Sequence, residues 1–422
     1  MMKRLFLTLL LMFITVTVFA EDIRVNLLRD QESVQVEASA PFAITDLNTG
    51  NHKDINAGRY YLSVRGGALY LNDDMIGDKV QISRKDGGEL PMINQKQYNG
   101  VFYATPRAGR VHLNNVVDLE FFLTSVLPSK TSPIWPDEAL KAQAVAARSY
   151  AKYMKLLNKD NTYDIEATDR ELPFNGLGKE KVVISNALQA TVGQYLKDRD
   201  GMPAMAVTTA CTGGRTESAT EAFGVAYSYL QSVPDFDSDC PDYRWSMEFT
   251  PGMIRNIIEQ YGDVIVGKIR SIHLSPLTQP GDDRTGSGRV KTLLIRGEDG
   301  IARIEAYNLI QQLELKSSLF DIETGVPLPT KLDAPIMNYY GVEVGRKEIS
   351  INLGENRPHT WQGMSKSAHV LKGTKEEKIT FRGLGKGHGV GLSVWGARGL
   401  ANKRYTYEQI LAHYYPNTKL VK

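Results

Sequence analysis

The sequence predicts an α+β protein, in which a β-rich N-terminal region precedes a mixed α/β core with a further β-rich segment. Short alternating runs separated by turn residues fill the first hundred positions, whereas an alanine-rich run near residue 140 has helical spacing. Strand-like apolar runs return after residue 269. The predicted segments are a signal peptide at 1–20, a β-rich region at 21–111, a core at 112–239, a β-rich insertion or subdomain at 240–341, and the C-terminal part of the core at 342–422.

The first twenty residues have the pattern of a cleaved secretory signal. Lys3 and Arg4 precede an apolar run at 5–18, and the small residue Ala20 closes the segment. The run is too short to span a membrane, and no stop-transfer pattern follows it. We therefore expect an exported protein with no integral membrane segment after cleavage.

Length and charge narrow the classes of partner. The chain has 422 residues, with 50 Lys and Arg against 48 Asp and Glu. Removal of the two basic residues in the signal leaves equal numbers, so nothing favours a nucleic acid or an anionic membrane as partner. A chain of about four hundred residues exceeds the size at which one core stops growing, so two or three structural units are expected.

The β-rich region is predicted from alternating apolar residues bounded by turns. Residues 23–27, 34–38 and 60–64 have the alternation of half-buried strands. Polar and glycine-rich clusters at 48–51 and 86–88 are typical of the turns between strands.

A helix is predicted to begin near Pro136 and to hold the preceding loop, residues 127–135, rigidly. Proline suits a first helical turn, and Asp137 and Glu138 place negative charge at the positive end of the helix dipole. Alanine has the highest helix propensity. Four residues repeat at helical spacing and form a narrow face that we expect to be buried: Leu140, Ala144, Ala147 and Ala151.

The later elements follow from the same patterns. Residues 204–209 have the apolar character of a buried strand, and residues 251–261 have that of a helix. Strands are expected at 271–274 and 291–295. A last helix at 407–414 should end at Pro416.

Glycine occupies every second position from Gly383 to Gly391. If this segment is extended, one side is bare backbone that a ligand or another strand can approach closely. The nucleotide-binding pattern G-x-G-x-x-G is absent because its third glycine would fall at His388. Trp395, which follows, could stack on a sugar ring. Composition alone favours a core strand in which His388 is a satisfied polar residue.

Cys211 and Cys240 have two alternative roles. In an exported chain two cysteines favour one disulfide, whereas a catalytic thiol would pair Cys211 with His388 or His413. We favour the disulfide, and we predict no metal because no histidine lies between the cysteines. Glu217, in a turn-rich run, is either a catalytic carboxylate or a solvated or capping one.

Six segments together resemble the SpoIID/LytB family in order and approximate spacing. They are residues 115–123, 126–151, 191–196, 213–217, 287–290 and 387–397. The resemblance covers nearly the whole chain after residue 20. It implies an exported peptidoglycan protein of the periplasm or the extracytoplasmic cell wall. Some members are lytic transglycosylases on peptide-free glycan strands, and others enhance a cell-wall amidase, so both glycan strands and an amidase are expected partners.

The resemblance also implies the catalytic group, a glutamate eight positions before the residue that corresponds to Glu138. This sequence has Lys130 there. The family's chemistry needs one carboxylic acid and no metal or cofactor, but lysine, with a reference pKa of about 10.4, is a poor acid at neutral pH. A shift of register does not restore the acid, because no Asp or Glu lies between Glu120 and Asp137.

Three further positions depart from the family pattern. Residues 172 and 174 are apolar where the family often has glutamine and tyrosine, and Val394 stands where glutamine is usual. Three explanations remain open: the chain binds glycan without cutting it, it cuts with another carboxylate, or the register of the loop is different. The alternative carboxylates are Glu217, Asp169 and Glu171.

The sequence thus predicts a peptidoglycan-acting protein, transglycosylase-like on peptide-free glycan, with an inert glycan-binding protein or amidase enhancer as the alternative. A structural envelope protein is a third class. The predicted catalytic positions are Lys130, Glu217 and His388. The predicted substrate contacts are Ser129, Arg215, Thr216, Gly387, Gly389, Ser393 and Trp395.

Overall fold

The structure is a computed structural model that describes residues 21–85, 87–132, 134–177, 182–261, 264–278, 280–325, 331–337, 343–350, 368–373 and 377–422. Helices and several β-sheets mix along these residues, which confirms the α+β prediction. The predicted signal peptide, Asp86 and the start of the predicted C-terminal segment at 342 lie outside the described residues.

The chain divides into two compact units. The first comprises Met1–Pro133, Ala147–Met205 and Leu420–Lys422, and the second comprises Ile134–Ala146 and Ala206–Lys419. The predicted segment boundaries stay a prediction.

The first unit contains a seven-stranded sheet. Its strands are β1 (Asp22–Gln31), β3 (Phe42–Asp46), β4 (His52–Ile55), β8 (Val80–Arg84), β10 (Val101–Arg107), β11 (Arg110–Asp118) and β12 (Ile165–Glu166). Their order is β12-β1-β11-β10-β8-β3-β4, antiparallel except for the parallel pair β1 and β12. Alternate side chains of β11 are buried, as the sequence pattern of a half-buried strand requires.

A second sheet of this unit has the order β7-β6-β5-β2-β9. Its strands are β2 (Ser33–Ala38), β5 (Gly58–Arg65), β6 (Ala68–Leu71), β7 (Asp74–Gly77) and β9 (Met92–Ile93). The strands predicted at 23–27, 34–38 and 60–64 are therefore confirmed. The unit also contains α1 (Leu119–Val126), α3 (Val182–Ala190) and the strand β13 (Tyr195–Lys197), which pairs with β25 (Lys419–Val421).

The predicted alanine-rich helix is α2, Asp137–Leu157, with Asp137 and Glu138 in its first turn. Its first ten residues belong to the second unit and the rest to the first. The four residues of the predicted small-residue face are all buried, so this prediction is confirmed. No helix among the described residues is long and apolar enough to cross a membrane.

The second unit contains two larger sheets and two strand pairs. The sheet β15-β23-β19 consists of Arg244–Phe249, Lys378–Leu384 and Phe320–Gly325, and the sheet β18-β17-β16-β22 consists of Ile301–Glu305, Thr292–Gly297, Ile269–His273 and Ala368–Val370. The pairs are β14 (Thr208–Thr209) with β24 (Leu392–Ser393) and β20 (Lys331–Met337) with β21 (Glu343–Ser350).

Helices of the second unit pack on these sheets. They are α4 (Ala219–Phe223), α5 (Pro251–Tyr261), α6 (Ala306–Leu313), α7 (Val394–Asn402) and α8 (Tyr407–Tyr414). One apolar core joins α5 and α6 to the strands, with Ile258, Ile295 and Phe381 fully buried in it. The helices predicted at 251–261 and 407–414 and the strands predicted near 271 and 291 are confirmed.

The prediction of a buried strand at 204–209 is wrong for most of these residues. Ala204, Ala206 and Val207 are buried as expected, but only Thr208–Thr209 form a strand. The carbonyl of Val207 accepts hydrogen bonds from the backbone of Leu392 and from the Tyr415 hydroxyl, so its partners are not those of a regular ladder.

The prediction that the glycine segment is an extended core strand is also wrong, because strand β23 ends at Leu384. Gly385, Gly387, Gly389 and Gly391 all have positive φ, from 73° to 101°. This conformation suits glycine, and a Cβ on Gly391 would lie 2.1 Å from the Val207 carbonyl oxygen. After Leu384 the segment forms isolated bridges at Lys386 and Val390 and not a continuous core strand.

Candidate functional site

The loop that presents Lys130 is tied to the end of α1 by hydrogen bonds. The backbone N–H groups of Lys130 and Thr131 donate to the Leu127 carbonyl at 3.0 and 3.1 Å, and the Thr131 hydroxyl donates to the same oxygen at 2.9 Å. The Ser129 hydroxyl donates to the Val126 carbonyl at 2.7 Å. The backbone around Lys130 is therefore fixed by local contacts with the end of α1.

The Lys130 side chain pairs with a carboxylate. Its Nζ lies 3.5 Å from Oε2 of Glu171, and the two side chains are 20% and 14% exposed. The pair places an acid and a cation together, at the position where the family resemblance expects an acid alone.

The loop that supplies Glu171 is shaped by Asp169. One carboxylate oxygen of Asp169 accepts the backbone N–H groups of Glu171 and Leu172 at 2.7 and 2.9 Å, and the other accepts the Tyr150 hydroxyl at 3.2 Å. Burial raises the pKa of Tyr150, and the charges of Asp169 and Glu171 raise it further. Tyr150 therefore stays a hydrogen-bond donor that anchors this loop to α2.

The apolar residues at 172 and 174 belong to the core of the first unit. Leu172 and Phe174 are 2% and 3% exposed. The Phe174 ring packs against the rings of Tyr98 and Phe122, with centroids 5.4 and 5.1 Å apart. These two positions hold the loop in place through packing, which accounts for their departure from the polar family pattern.

In the second unit, Glu217 is buried and both of its carboxylate oxygens accept hydrogen bonds. Its Oε2 accepts hydrogen bonds from the hydroxyls of Thr285, at 2.5 Å, and Ser287. Its Oε1 accepts the backbone N–H of Ser218 at 2.8 Å. Glu217 thus joins the loop at 212–218 to the loop at 285–289.

A buried guanidinium lies beside this carboxylate. Arg289 is 2% exposed, and its Nη2 donates to the Thr212 carbonyl at 3.0 Å. Burial lowers the pKa of Arg289 to about 10, while the charges of Glu217 and Asp237 oppose this shift. Gly389 packs directly on Arg289, because a Cβ there would lie 2.2 Å from Nη2.

His388 is engaged at both ring nitrogens. Its Nε2 lies 3.0 Å from the Thr208 carbonyl oxygen, and its Nδ1 accepts the Val390 backbone N–H at 3.0 Å. A carbonyl partner requires the proton on Nε2, so these contacts select the neutral tautomer. This geometry matches a satisfied polar residue, the interpretation that composition favours.

Sequence reasoning missed a pair of aspartates near the disulfide. Asp237 is 1% exposed and accepts the backbone N–H groups of Thr212 and Gly213 at 2.5 and 2.9 Å. Asp235 accepts the hydroxyls of Thr212 and Tyr414 at 2.6 and 2.5 Å. Burial and the charge of Asp235 raise the pKa of Asp237 to about 6.

The predicted substrate contacts differ in exposure. Arg215 and Gly387 are exposed, whereas Thr216 and Ser393 are buried. The Thr216 hydroxyl accepts the Val233 backbone N–H at 2.7 Å, and the Ser393 hydroxyl caps α7. The last two hydroxyls thus have partners within the fold.

Trp395 is half-buried and packs edge-on against Trp135, with ring centroids 5.1 Å apart. The Arg398 guanidinium lies 5.1 Å from the centroid of the Trp395 ring. This cluster of two indoles and a cation lies at the start of α7, in the second unit.

Cys211 and Cys240 are bonded in the structure, with Cα atoms 6.5 Å apart. A thiol nucleophile therefore has no support here. The described residues contain no group of three or more His, Cys, Asp or Glu that could hold a metal ion.

Comparison with known proteins supports the resemblance to the SpoIID family over part of the chain. A model of the SpoIID family, described as "Stage II sporulation protein", matches residues 107–197. Stage II sporulation protein D of Bacillus subtilis is 23% identical over 322 residues, which are 72% of this chain and 74% of that protein. Over residues 107–197 the chain is therefore similar to the SpoIID family.

Two other relatives extend the match. The amidase enhancer of Bacillus subtilis is 25% identical over 380 residues, 86% of this chain and 50% of that protein. An uncharacterized protein of Brachyspira hyodysenteriae is 26% identical over 331 residues, 78% of this chain and 73% of that protein. The chain thus spans half the length of the amidase enhancer.

The SpoIID-matching segment contains Ser129, Lys130, Asp169 and Glu171, all in the first unit. The other predicted site residues, including Glu217 and His388, lie outside this segment and in the second unit. Of the predicted residues, the structure brings Lys130 together with Glu171. It also places Thr285, Ser287 and Arg289 around Glu217. Ser287 and Arg289 belong to the family-like run at 287–290, whereas Thr285 lies before it.

Proposed function

We propose that this chain is an exported SpoIID-type protein that binds glycan strands of peptidoglycan without cleaving them through position 130. The observation that carries the proposal is the ion pair of Lys130 and Glu171, 3.5 Å between Nζ and Oε2. It puts a cation on a rigid loop where the family chemistry needs an acid.

Transglycosylase chemistry makes two demands on that acid. It must first protonate the glycosidic oxygen, and then, as a carboxylate, remove the proton of the sugar hydroxyl that attacks. An ammonium group has no lone pair for the second step until it has lost its proton, and it is a weak acid for the first. Lys130 is therefore suited to binding and not to this catalysis.

The other predicted catalytic groups also favour a non-cleaving protein. The Glu217 carboxylate accepts three hydrogen bonds from Ser218, Thr285 and Ser287 and is 2% exposed. The ring nitrogens of His388 contact backbone groups. Both residues act in holding loops together.

The side chains around Trp395 in the second unit support the proposal of glycan binding. Trp395 keeps part of its indole accessible while Trp135 and Arg398 fix its orientation. An aromatic face of this kind presents apolar area to the faces of sugar rings. Arg215, which belongs to the same unit, is exposed.

The experiment that tests this proposal is co-sedimentation of the purified protein with insoluble peptide-free glycan strands. We expect the protein to pellet with the strands, and Trp395→Ala to weaken this binding severalfold. Tyr61→Ala, which removes an aromatic ring that is 51% exposed in the first unit, is the matched control and should bind normally. Failure to bind any purified glycan would instead support a structural envelope role.

A second candidate function is enhancement of a cell-wall amidase, favoured by the similarity to an amidase enhancer over 86% of this chain. The measurement is the rate at which a purified cell-wall amidase solubilises peptidoglycan with and without this protein. An increase that saturates with protein concentration would support enhancement, and an unchanged rate would contradict it.

A further inference from the structure

The ion pair of Lys130 and Glu171 differs from a structural salt bridge of the same unit. In that structural salt bridge, the fully buried guanidinium of Arg148 contacts both carboxylate oxygens of Glu120, at 2.7 and 2.8 Å. Lys130 instead approaches Glu171 at 3.5 Å, and both side chains remain partly exposed. A single contact at 3.5 Å lacks the two-point geometry that strengthens the Arg148 pair, so an exchange of partner costs less at Lys130 than at Arg148.

The backbone of Lys130 is held by groups other than Glu171. The loop backbone is held by the Leu127 carbonyl, which accepts three hydrogen bonds from Lys130 and Thr131. The backbone of Glu171 is held separately by the Asp169 carboxylate. The two side chains can therefore separate while both loops keep their conformation.

An ammonium group held in this way is a site for a carboxylate on a ligand. Lysine acts as a compact point charge with three donors, which suits a carboxylate that arrives from different directions. Peptide-free glycan strands carry such a group, since the lactyl ether of each muramic residue ends in a free carboxylate.

We propose that Lys130 binds a carboxylate of the glycan, and that Glu171 occupies this site in the free protein until the ligand displaces it. The inference rests on the proposed glycan binding and names the group of the substrate that position 130 recognises. It makes binding dependent on ligand charge and on ionic strength.

The test compares peptide-free strands with the same strands whose carboxylates have been converted to neutral methylamides. Co-sedimentation at low salt should show binding of native strands about five- to tenfold tighter than of neutral strands, as expected for one partly solvated charge pair. Lys130→Gln should lower binding to native strands by the same factor and leave binding to neutral strands unchanged. Glu171→Gln, which removes the internal competitor, should strengthen binding to native strands only.

The matched control is Lys53→Gln, which removes an exposed lysine of the first unit that is paired with Asp74 at 2.8 Å. If this variant loses native-strand binding as Lys130→Gln does, the charge effect is diffuse and the inference is wrong. Equal binding of native and neutral strands by the unmodified protein would also overturn it, whatever the folding of the variants. Failure to bind either strand would contradict glycan binding itself.

Discussion

Arg148 and Glu120 form a two-point ion pair in which the guanidinium is completely buried, with Nε and Nη2 at 2.7 and 2.8 Å from the carboxylate oxygens. The third nitrogen, Nη1, donates to the Gln194 carbonyl at 2.9 Å. Arg148 thus ties α2 to α1 and to the turn before β13. A buried charge of this kind is stable only while its partners remain.

Removal of the partner should therefore destabilise the protein strongly. We predict that Glu120→Gln lowers the free energy of unfolding by about 3 kcal/mol, near the lower end for breaking a buried pair because Glu120 is partly exposed. Chemical denaturation measures the change. Glu32→Gln, at a glutamate that is 82% exposed and pairs with Arg110, should change stability little. Equal effects of the two variants would contradict a structural role for Arg148.

Asp237 should make stability depend on pH. Its pKa is raised from the ordinary 3.8 to about 6, so the folded protein retains a proton that the unfolded chain releases. The stability that this group contributes is complete below about pH 4 and is lost as the pH rises to about 6. Asp237→Asn keeps an acceptor for the backbone of Thr212 and Gly213 but does not titrate.

We predict that Asp237→Asn gains stability relative to the unmodified protein by roughly 1–3 kcal/mol between pH 4 and pH 7. Urea unfolding at several pH values measures the difference. Asp73→Asn, at a side chain that is 95% exposed, serves as the control and should show no such trend. A difference that does not vary with pH would show that Asp237 is ionised in the folded protein throughout this range.

Gly389 should tolerate no side chain. It has a φ of 82°, and an added Cβ would lie 2.2 Å from the Nη2 of the buried Arg289. We predict that Gly389→Ala destabilises the protein by more than about 2 kcal/mol through steric overlap and strain. The control is Gly286→Ala, whose Cβ would meet no atom within 4 Å. A normal melting temperature for Gly389→Ala would contradict this packing.

The disulfide of Cys211 and Cys240 should be present in the protein purified without reductant. Its intact mass should rise by the mass of two hydrogen atoms on reduction, and two free thiols before reduction would refute the bond. The cysteines are 29 residues apart, so loop-closure entropy predicts a loss of about 3–4 kcal/mol of stability on replacement of both by alanine. Thermal melting with and without reductant measures this loss.

Elements with strong local signals were predictable from the sequence. The helices that begin near Pro136 and at Pro251 combine a proline at the start with apolar residues at helical spacing, and both occur in the structure. The strands of the first unit show period-two alternation, and they too occur. In these segments the local pattern and the tertiary environment favour the same structure.

Long-range contacts were not predictable. The alternating glycines after Leu384 have a strand's period, but they have positive φ and lie against Val207, Thr212 and Arg289, so the segment does not continue as a strand. Likewise, the two hydroxyls that donate to Glu217 come from positions 68 and 70 residues away. Periodicity carries no information on such contacts, so the surroundings of Glu217 and Lys130 had to come from the structure.

The central claim is that position 130 binds without cutting. Its most direct test is mass spectrometry of peptide-free glycan strands after long incubation with the purified protein, with Lys130→Glu, Glu171→Gln and Glu217→Gln in parallel. We predict no anhydro-muramic ends above the buffer control for the unmodified protein, while products from Lys130→Glu would show that the remaining site is competent. Anhydro-muramic ends formed by the unmodified protein and lost in Glu171→Gln or Glu217→Gln would contradict the claim.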